Sequence, residues 1–301
     1  MKYKQMNEKT FRQSIGLFVL AGILLTLIPS GASAADVLYS IPNNESKLYI
    51  VDPLTGLSAT PPITITLEGK SIEGGNGLAT EPGTGKLWAI LSLTGQYGRE
   101  LVTIDPGTGI ATDISDTSEK IATITFDSSG TLFGVTGSEA PALWIINKLD
   151  ASLTGGTSLE NGINGQAISF SPSDNLIYHA SGNSPAIFEK FGTSVATIDA
   201  IPISGDPYYE VTALVYNPSN TFLAAAGVFP ANKNKDRALY RFNASGEVTK
   251  IGNLNHLSKG LAFAPAAVDP AGGAIPEFPT VALPIASVIG LMFLFQRRKG
   301  K

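Results

Sequence analysis

One pattern recurs along the middle of this chain and restricts its fold more than any other feature. It reads small-apolar-small-aromatic, then a turn, then Leu among aromatics. Four copies can be traced: Gly77-Leu78-Ala79-Thr80 with Lys86-Leu87-Trp88, and Thr123-Ile124-Thr125-Phe126 with Thr131-Leu132-Phe133. The other two are Ala167-Ile168-Ser169-Phe170 with Asn175-Leu176-Ile177-Tyr178, and Ala213-Leu214-Val215-Tyr216 with Thr221-Phe222-Leu223. The first departs from the pattern, with Thr80 at the aromatic position. The last position of the opening strand falls at 80, 126, 170 and 216, a period of about 45 residues. A second half-unit follows each copy: Leu101–Asp105, Leu143–Asn147, Ile187–Lys190 and Leu239–Asn243. Short closing strands such as Ile110–Ile114 and Glu247–Ile251 complete the unit. All are rich in Val, Ile, Thr and aromatics and are bounded by Gly, Pro, Asn or Asp, which reads as strands and turns.

Four short strands per period of about 45 residues are the mark of a β-propeller blade. The termini of the domain point to closure. The N-terminal part offers three strands, Val37–Ile41, Leu48–Asp52 and Ile63–Leu67, and lacks the opening strand. That strand appears at the far end as Gly260-Leu261-Ala262-Phe263. Three strands from one terminus and one from the other make a fifth blade, and closing the ring removes exposed sheet edges. The expectation is an all-β propeller of five blades with four strands each. Six blades would require one to be degenerate. The motifs resemble, at the level of pattern, the broad superfamily of NHL and YVTN-type repeats.

The ends carry targeting features. Lys2, Lys4, Lys9 and Arg12 precede an apolar run from Ile15 to Ile28 and the small residues Gly31–Ala35. Basic head, short apolar stretch and A-x-A site read as a secretory signal peptide over 1–35; an uncleaved N-terminal anchor is the alternative. At the other end, Pro276-Glu277-Phe278 precedes an apolar run, Val281 to Phe295, and the basic tail Gln296–Lys301. Positive charge after an apolar run marks the cytoplasmic side, so a C-terminal transmembrane helix is expected, although the run is short for a full span.

Pro276, Glu277 and Phe278, the apolar helix and the basic tail resemble the PEF-CTERM sorting signal of archaeal surface proteins. The resemblance implies recognition by an archaeosortase-type membrane enzyme, with the tail removed or exchanged for a lipid anchor. A plain C-terminal anchor would give the same location: cell surface, attached to the cytoplasmic membrane with the propeller outside. The domain reading is signal peptide 1–35, propeller 36–263, linker 264–275 and sorting segment 276–301.

Setting the ends aside changes the charge balance. Residues 36–274 hold 13 Lys and Arg against 23 Asp and Glu, a net of −10, whereas the whole chain is −4. An acidic domain repels phosphate backbones, so nucleic acid is not an expected partner. With no Cys in the chain, disulfides and thiolate chemistry are excluded. The expected partners are the membrane, the processing enzyme, and a cell-envelope protein or glycan.

Propeller geometry says where chemistry would sit. One column of the inner strands holds Ala79, Thr125, Ser169, Val215 and Ala262; another holds Gly77, Thr123, Ala167, Ala213 and Gly260. The alternate column, Leu78, Ile124, Ile168, Leu214 and Leu261, is large and apolar. Alternation places the large set between sheets and the small set at the axis, leaving no acid or base to line a channel. Glu73, Glu119, Asn164, Glu210 and His256 each lie six or seven residues before the end of an inner strand. One per blade, they form a candidate binding rim at one mouth. Their oxygens suit Ca²⁺, as in the gluconolactonase-like and paraoxonase-like propellers that this placement resembles; solvated loop residues are the plain alternative. No catalytic residue is assigned. His179 reads as a packed or surface His with no partner nearby in sequence. Asp52-Pro53-Leu54-Thr55-Gly56 and Asp105-Pro106-Gly107-Thr108-Gly109 read as Asx turns with Gly at positive φ. Asn44 and Asn243 head glycosylation sequons. The expected function is a binding or envelope-structural module on the cell surface. The alternative is a divalent-metal-dependent lactonase-like hydrolase using the rim.

Overall fold

The computed structural model describes residues 36–137, 141–159, 166–181, 186–228 and 236–266. The expected signal peptide, Asn164, the sorting residues Pro276, Glu277 and Phe278, and the expected transmembrane helix all lie outside them. The described residues contain strands and turns and no helix.

The chain builds its sheets in sequence. β1 (Asp36–Pro42), β2 (Lys47–Val51) and β3 (Ile63–Thr64) come first, then the two-residue β4 (Thr66–Leu67). The second blade is β5 (Ile72–Thr80), β6 (Leu87–Leu93), β7 (Glu100–Ile104) and β8 (Ile110–Asp116). The third is β9 (Ile121–Phe126), β10 (Leu132–Thr136), β11 (Ala142–Ile146) and β12 (Leu153–Ser158). The fourth is β13 (Gln166–Ser171), β14 (Leu176–Ser181), β15 (Ile187–Phe191) and β16 (Ile198–Ala200). After β17 (Ser204–Gly205), the fifth is β18 (Tyr208–Asn217), β19 (Thr221–Val228), β20 (Arg237–Asn243) and β21 (Glu247–Leu254). The last strand, β22 (Ser258–Pro265), returns to the first sheet, whose order is β22-β1-β2-β3.

The structure is therefore a five-blade propeller, closed by the pairing of the two ends. β22 runs antiparallel to β1 from Asp36↔Pro265 to Pro42↔Ser258. The inner strands β5, β9, β13, β18 and β22 meet in order around the axis, and β22 meets β5 to complete the ring.

Two blades differ from the expected four strands. The stretch Ile63–Leu67 alternates like one strand, but it changes partner at Ile65. Ile63 and Thr64 pair with Leu48 and Lys47 of β2, while Thr66 and Leu67 pair in parallel with Ile110 and Ala111 of β8. Ile65 is buried at the crossing, where its N–H donates to Ser46 O at 2.9 Å. The chain repeats the move in β17, which pairs in parallel with β21. The second and fifth blades thus gain a short fifth strand on their outer edges, where it covers backbone groups that would otherwise face water.

The core is divided among the interfaces between blades. Tyr39, Ile41, Leu78 and Val102 pack between the first and second blades, and Trp88, Ile121, Ile124 and Phe126 between the second and third. Phe133, Ile168, Phe170 and Phe191 fill the next interface, Tyr178, Leu214, Phe222 and Tyr240 the one after. Leu38, Leu223, Leu239 and Leu261 close the circle. The large column of the inner strands packs between sheets, as its alternation predicts. Burial of each such side chain contributes about 1.5–3 kcal/mol.

Candidate functional site

The ring has two openings on its axis. The lower one, at the C-terminal ends of the inner strands, holds a cavity of about 160 Å³ whose lining includes Ala79, Thr125, Ser169, Val215 and Ala262. The hydroxyls in the small columns are already engaged. Thr123 Oγ1 accepts the N–H of Ile168 at 3.0 Å, Thr125 Oγ1 that of Phe170 at 2.9 Å, and Ser169 Oγ that of Tyr216 at 2.7 Å. Each reaches from one blade to the next and satisfies an inner-strand N–H that faces the axis rather than its own sheet. Where the column has Gly, the reason is space. A Cβ on Gly77 would stand 3.0 Å from Ile124 N, and one on Gly260 would stand 2.7 Å from Leu78 N. The small residues are small because adjacent inner strands crowd together, and their side chains point at the neighbouring backbone.

The upper opening, at the N-terminal ends of the inner strands, is different. Asn76, Ala122, Gln166, Thr212 and Lys259 come one from each inner strand, and Arg99 joins them from the second blade around a polar pocket of about 60 Å³. Each of the five precedes a member of the Gly77, Thr123, Ala167, Ala213, Gly260 column. The register that revealed that column also contained this one, read one residue earlier. Arg99 donates to the carbonyl of Ile121, and burial lowers its pKa to about 10. Burial also pulls the Lys259 ammonium below its ordinary value; Glu210 opposes that shift, while Arg237 and Arg99 add to it.

The residues expected at the rim take separate positions. Glu73, near the start of β5, and Glu119, between β8 and β9, are exposed. Glu210 on β18 accepts from Arg237 at 3.0 Å. His256 is 6% exposed, lies 2.7 Å from Ser40 Oγ, and stacks on Tyr49 with ring centroids 4.0 Å apart. Burial pushes its pKa down to about 4, so the ring is neutral at pH 7. Among the described residues no three of His, Asp and Glu gather closely enough to hold a metal ion.

His179, which has no partner nearby in sequence, finds two in space. It is fully buried, with Nδ1 2.8 Å from Glu189 Oε1 and Nε2 2.5 Å from Gln166 Oε1. Glu189 stands directly opposite it on β15, a pairing that becomes readable only once the strand register is known. Through Nε2 the pair also holds the side chain of Gln166, the pocket residue on β13 of the same blade.

The turns follow their sequence chemistry. Asp52 Oδ1 accepts the N–H of Leu54 and Asp105 Oδ1 that of Gly107, both at 2.8 Å, with Gly56 at φ 75° and Gly109 at φ 76°. Of the sequon residues, Asn44 is exposed between β1 and β2. Asn243 is built into a turn, where its Oδ1 accepts the N–H of Ser245 and of Glu247 and its Nδ2 donates to Glu247.

Residues 275–299 match the PEF-CTERM archaeal protein sorting domain. That segment marks the protein for the cell surface and for attachment at the membrane. No curated protein matches the sequence. Several solved structures are similar at low identity. A protein of unknown function from Bacteroides caccae is 11% identical, covering 77% of this chain and 99% of that one, with a TM-score of 0.49. TolB from Acinetobacter baumannii is 12% identical, covering 77% of this chain and 57% of that one, with a TM-score of 0.49. A gluconolactonase from Xanthomonas campestris is 10% identical, covering 80% and 82%, with a TM-score of 0.46.

Proposed function

We propose that this protein is exported, anchored by its C-terminal segment after archaeosortase processing, and displays its propeller outside the cell as a binding or envelope-organising module. The observation that carries this reading is the continuity between the last inner strand and the sorting segment. β22 ends at Pro265 on the lower side of the ring, and the matched segment begins at residue 275. The nine residues between them, extended, reach about 30 Å. The lower opening then faces the membrane and the upper mouth faces outward. Propellers present connections from rigid strands on two flat faces, which suits recognition, and Glu73 and Glu119, exposed near the N-terminal ends of inner strands, are candidates for contact on the outward side. Asn44, exposed between β1 and β2, is the better placed of the two glycan acceptors.

The test uses intact cells. Surface cross-linking followed by mass spectrometry should recover an envelope partner joined to residues of the upper side. The same sample should lack the C-terminal peptide beyond the sorting motif. Recovery of the protein from the cytosolic fraction, or cross-links confined to the lower side, would overturn this reading.

A further inference from the structure

We propose that the upper mouth of the ring is a binding site for a small oxyanion, gripped between Lys259 and Arg99 with Gln166, Asn76 and Thr212 around it. The group bound is a carboxylate, sulfate or phosphate, either free or as the end of a larger molecule entering from outside. The biological setting rests on the outward orientation proposed above; the pocket chemistry does not.

Charge balance is the first argument. Glu210 is the carboxylate that acts on Lys259 among the described residues, and it is already bound to Arg237 at 3.0 Å. The Lys259 ammonium has neither a hydrogen bond nor an ion pair among the described residues. The guanidinium of Arg99 meets the backbone carbonyl of Ile121 and no carboxylate among the described residues. Glu210 is thus committed to Arg237, and neither Lys259 nor Arg99 has a carboxylate bound to it among the described residues. Lys259 and Arg99, both half-buried, repel each other across the opening. Buried charge without a partner is costly, and an anion between the two would offset both the repulsion and the lost hydration.

Shape is the second argument. The polar pocket, about 60 Å³ in volume, suits a small oxyanion. Arg offers a planar fork that matches two oxygens, and Lys offers a point charge. The acidic character of the domain does not oppose this, because screening confines charge effects to about 8–10 Å in physiological salt.

Full-length protein in detergent should be titrated with sulfate, phosphate and acetate against chloride at constant ionic strength, following Tm and heat of binding. At least one oxyanion should raise Tm saturably. Preference for acetate would identify a carboxylate ligand, and preference for sulfate or phosphate a tetrahedral one. Lys259→Met should weaken the effect at least tenfold. Its Tm in chloride should equal or exceed that of the wild type, since an uncompensated charge has been removed, so a folding defect is separable from lost binding. Lys120→Met, which removes an exposed cation near the start of β9, should keep the full response. Equal responses in wild type and Lys259→Met, or no saturable response to any of the three anions, would overturn the proposal. Neither result bears on surface display, which the intact-cell experiment reads separately.

Discussion

Thr66 donates its backbone N–H to the carbonyl of Gly109 at 3.0 Å, which fastens the outgoing chain of one blade to the last turn of the next. The fifth blade repeats the contact, with Ser204 N–H donating to Gly246 O at 3.0 Å. Both glycines have positive φ, and in both a Cβ would fall 2.1 Å from a carbonyl oxygen, that of Thr64 or of Pro202. Gly83 has a similar φ of +79° but open space around it. Gly83→Ala should therefore cost about 1–2 kcal/mol, the penalty of the left-handed backbone alone. Gly109→Ala should cost clearly more in urea unfolding, because β4 must also leave β8. Equal losses would show that the crossover contributes nothing.

Removing the Ser169 hydroxyl should strand a buried donor. Tyr216 N–H points to Ser169 Oγ at 2.7 Å, and an unsatisfied buried group costs about 1–3 kcal/mol. Ser169→Ala should lower stability by that amount and accelerate hydrogen exchange at Tyr216. Unchanged exchange at that amide would refute the role assigned to the hydroxyl.

The His179–Glu189 pair should be strongly coupled. Breaking one side of a buried charged or hydrogen-bonded pair costs about 3–5 kcal/mol, while replacing both by apolar residues costs far less. Glu189→Leu alone should be severe, and His179→Leu with Glu189→Leu should recover part of the loss. Additive effects in the double-mutant cycle would mean the contact is energetically idle.

Acid should destabilise the ring through His256. Its folded pKa is about 4, against an ordinary value near 6.5. Between those limits the unfolded chain binds more protons, so stability rises with pH and is lost as pH falls from about 6.5 to 4. The full loss is about 3 kcal/mol. Chemical unfolding at several pH values should show this slope in the wild type and a flatter one in His256→Gln. A slope unaffected by the substitution would place the acid sensitivity elsewhere.

The ring was legible in the sequence because its repeat is carried by local rules. Small residues recur where inner strands crowd, large ones where sheets pack, and Asp and Gly where turns demand them. The division of strands between the two ends was legible for the same reason, since Gly260–Phe263 repeats the opening motif. The partner switch at Ile65 was not, because Ile63–Leu67 alternates without interruption and nothing local says which neighbour accepts its hydrogen bonds. Lys259 and Arg99 escaped notice for a related cause. They are 160 positions apart, and one of them sits on a connection between strands rather than on the repeating motif. His179 looked unpartnered because Glu189 lies ten positions away on the facing strand, a distance that only the register converts into contact.

The closure of the ring also fixes how load is borne. The chain passes to its membrane anchor from the end of β22, the innermost strand of its blade, which is paired with β1 along seven positions from Asp36 to Pro42. Tension on the anchor runs along β22 and meets that whole ladder in shear, so the bonds must yield together rather than one at a time. Pulled from its lower side, the propeller resists as a clasp, with the first strand of the domain serving as the catch for the last.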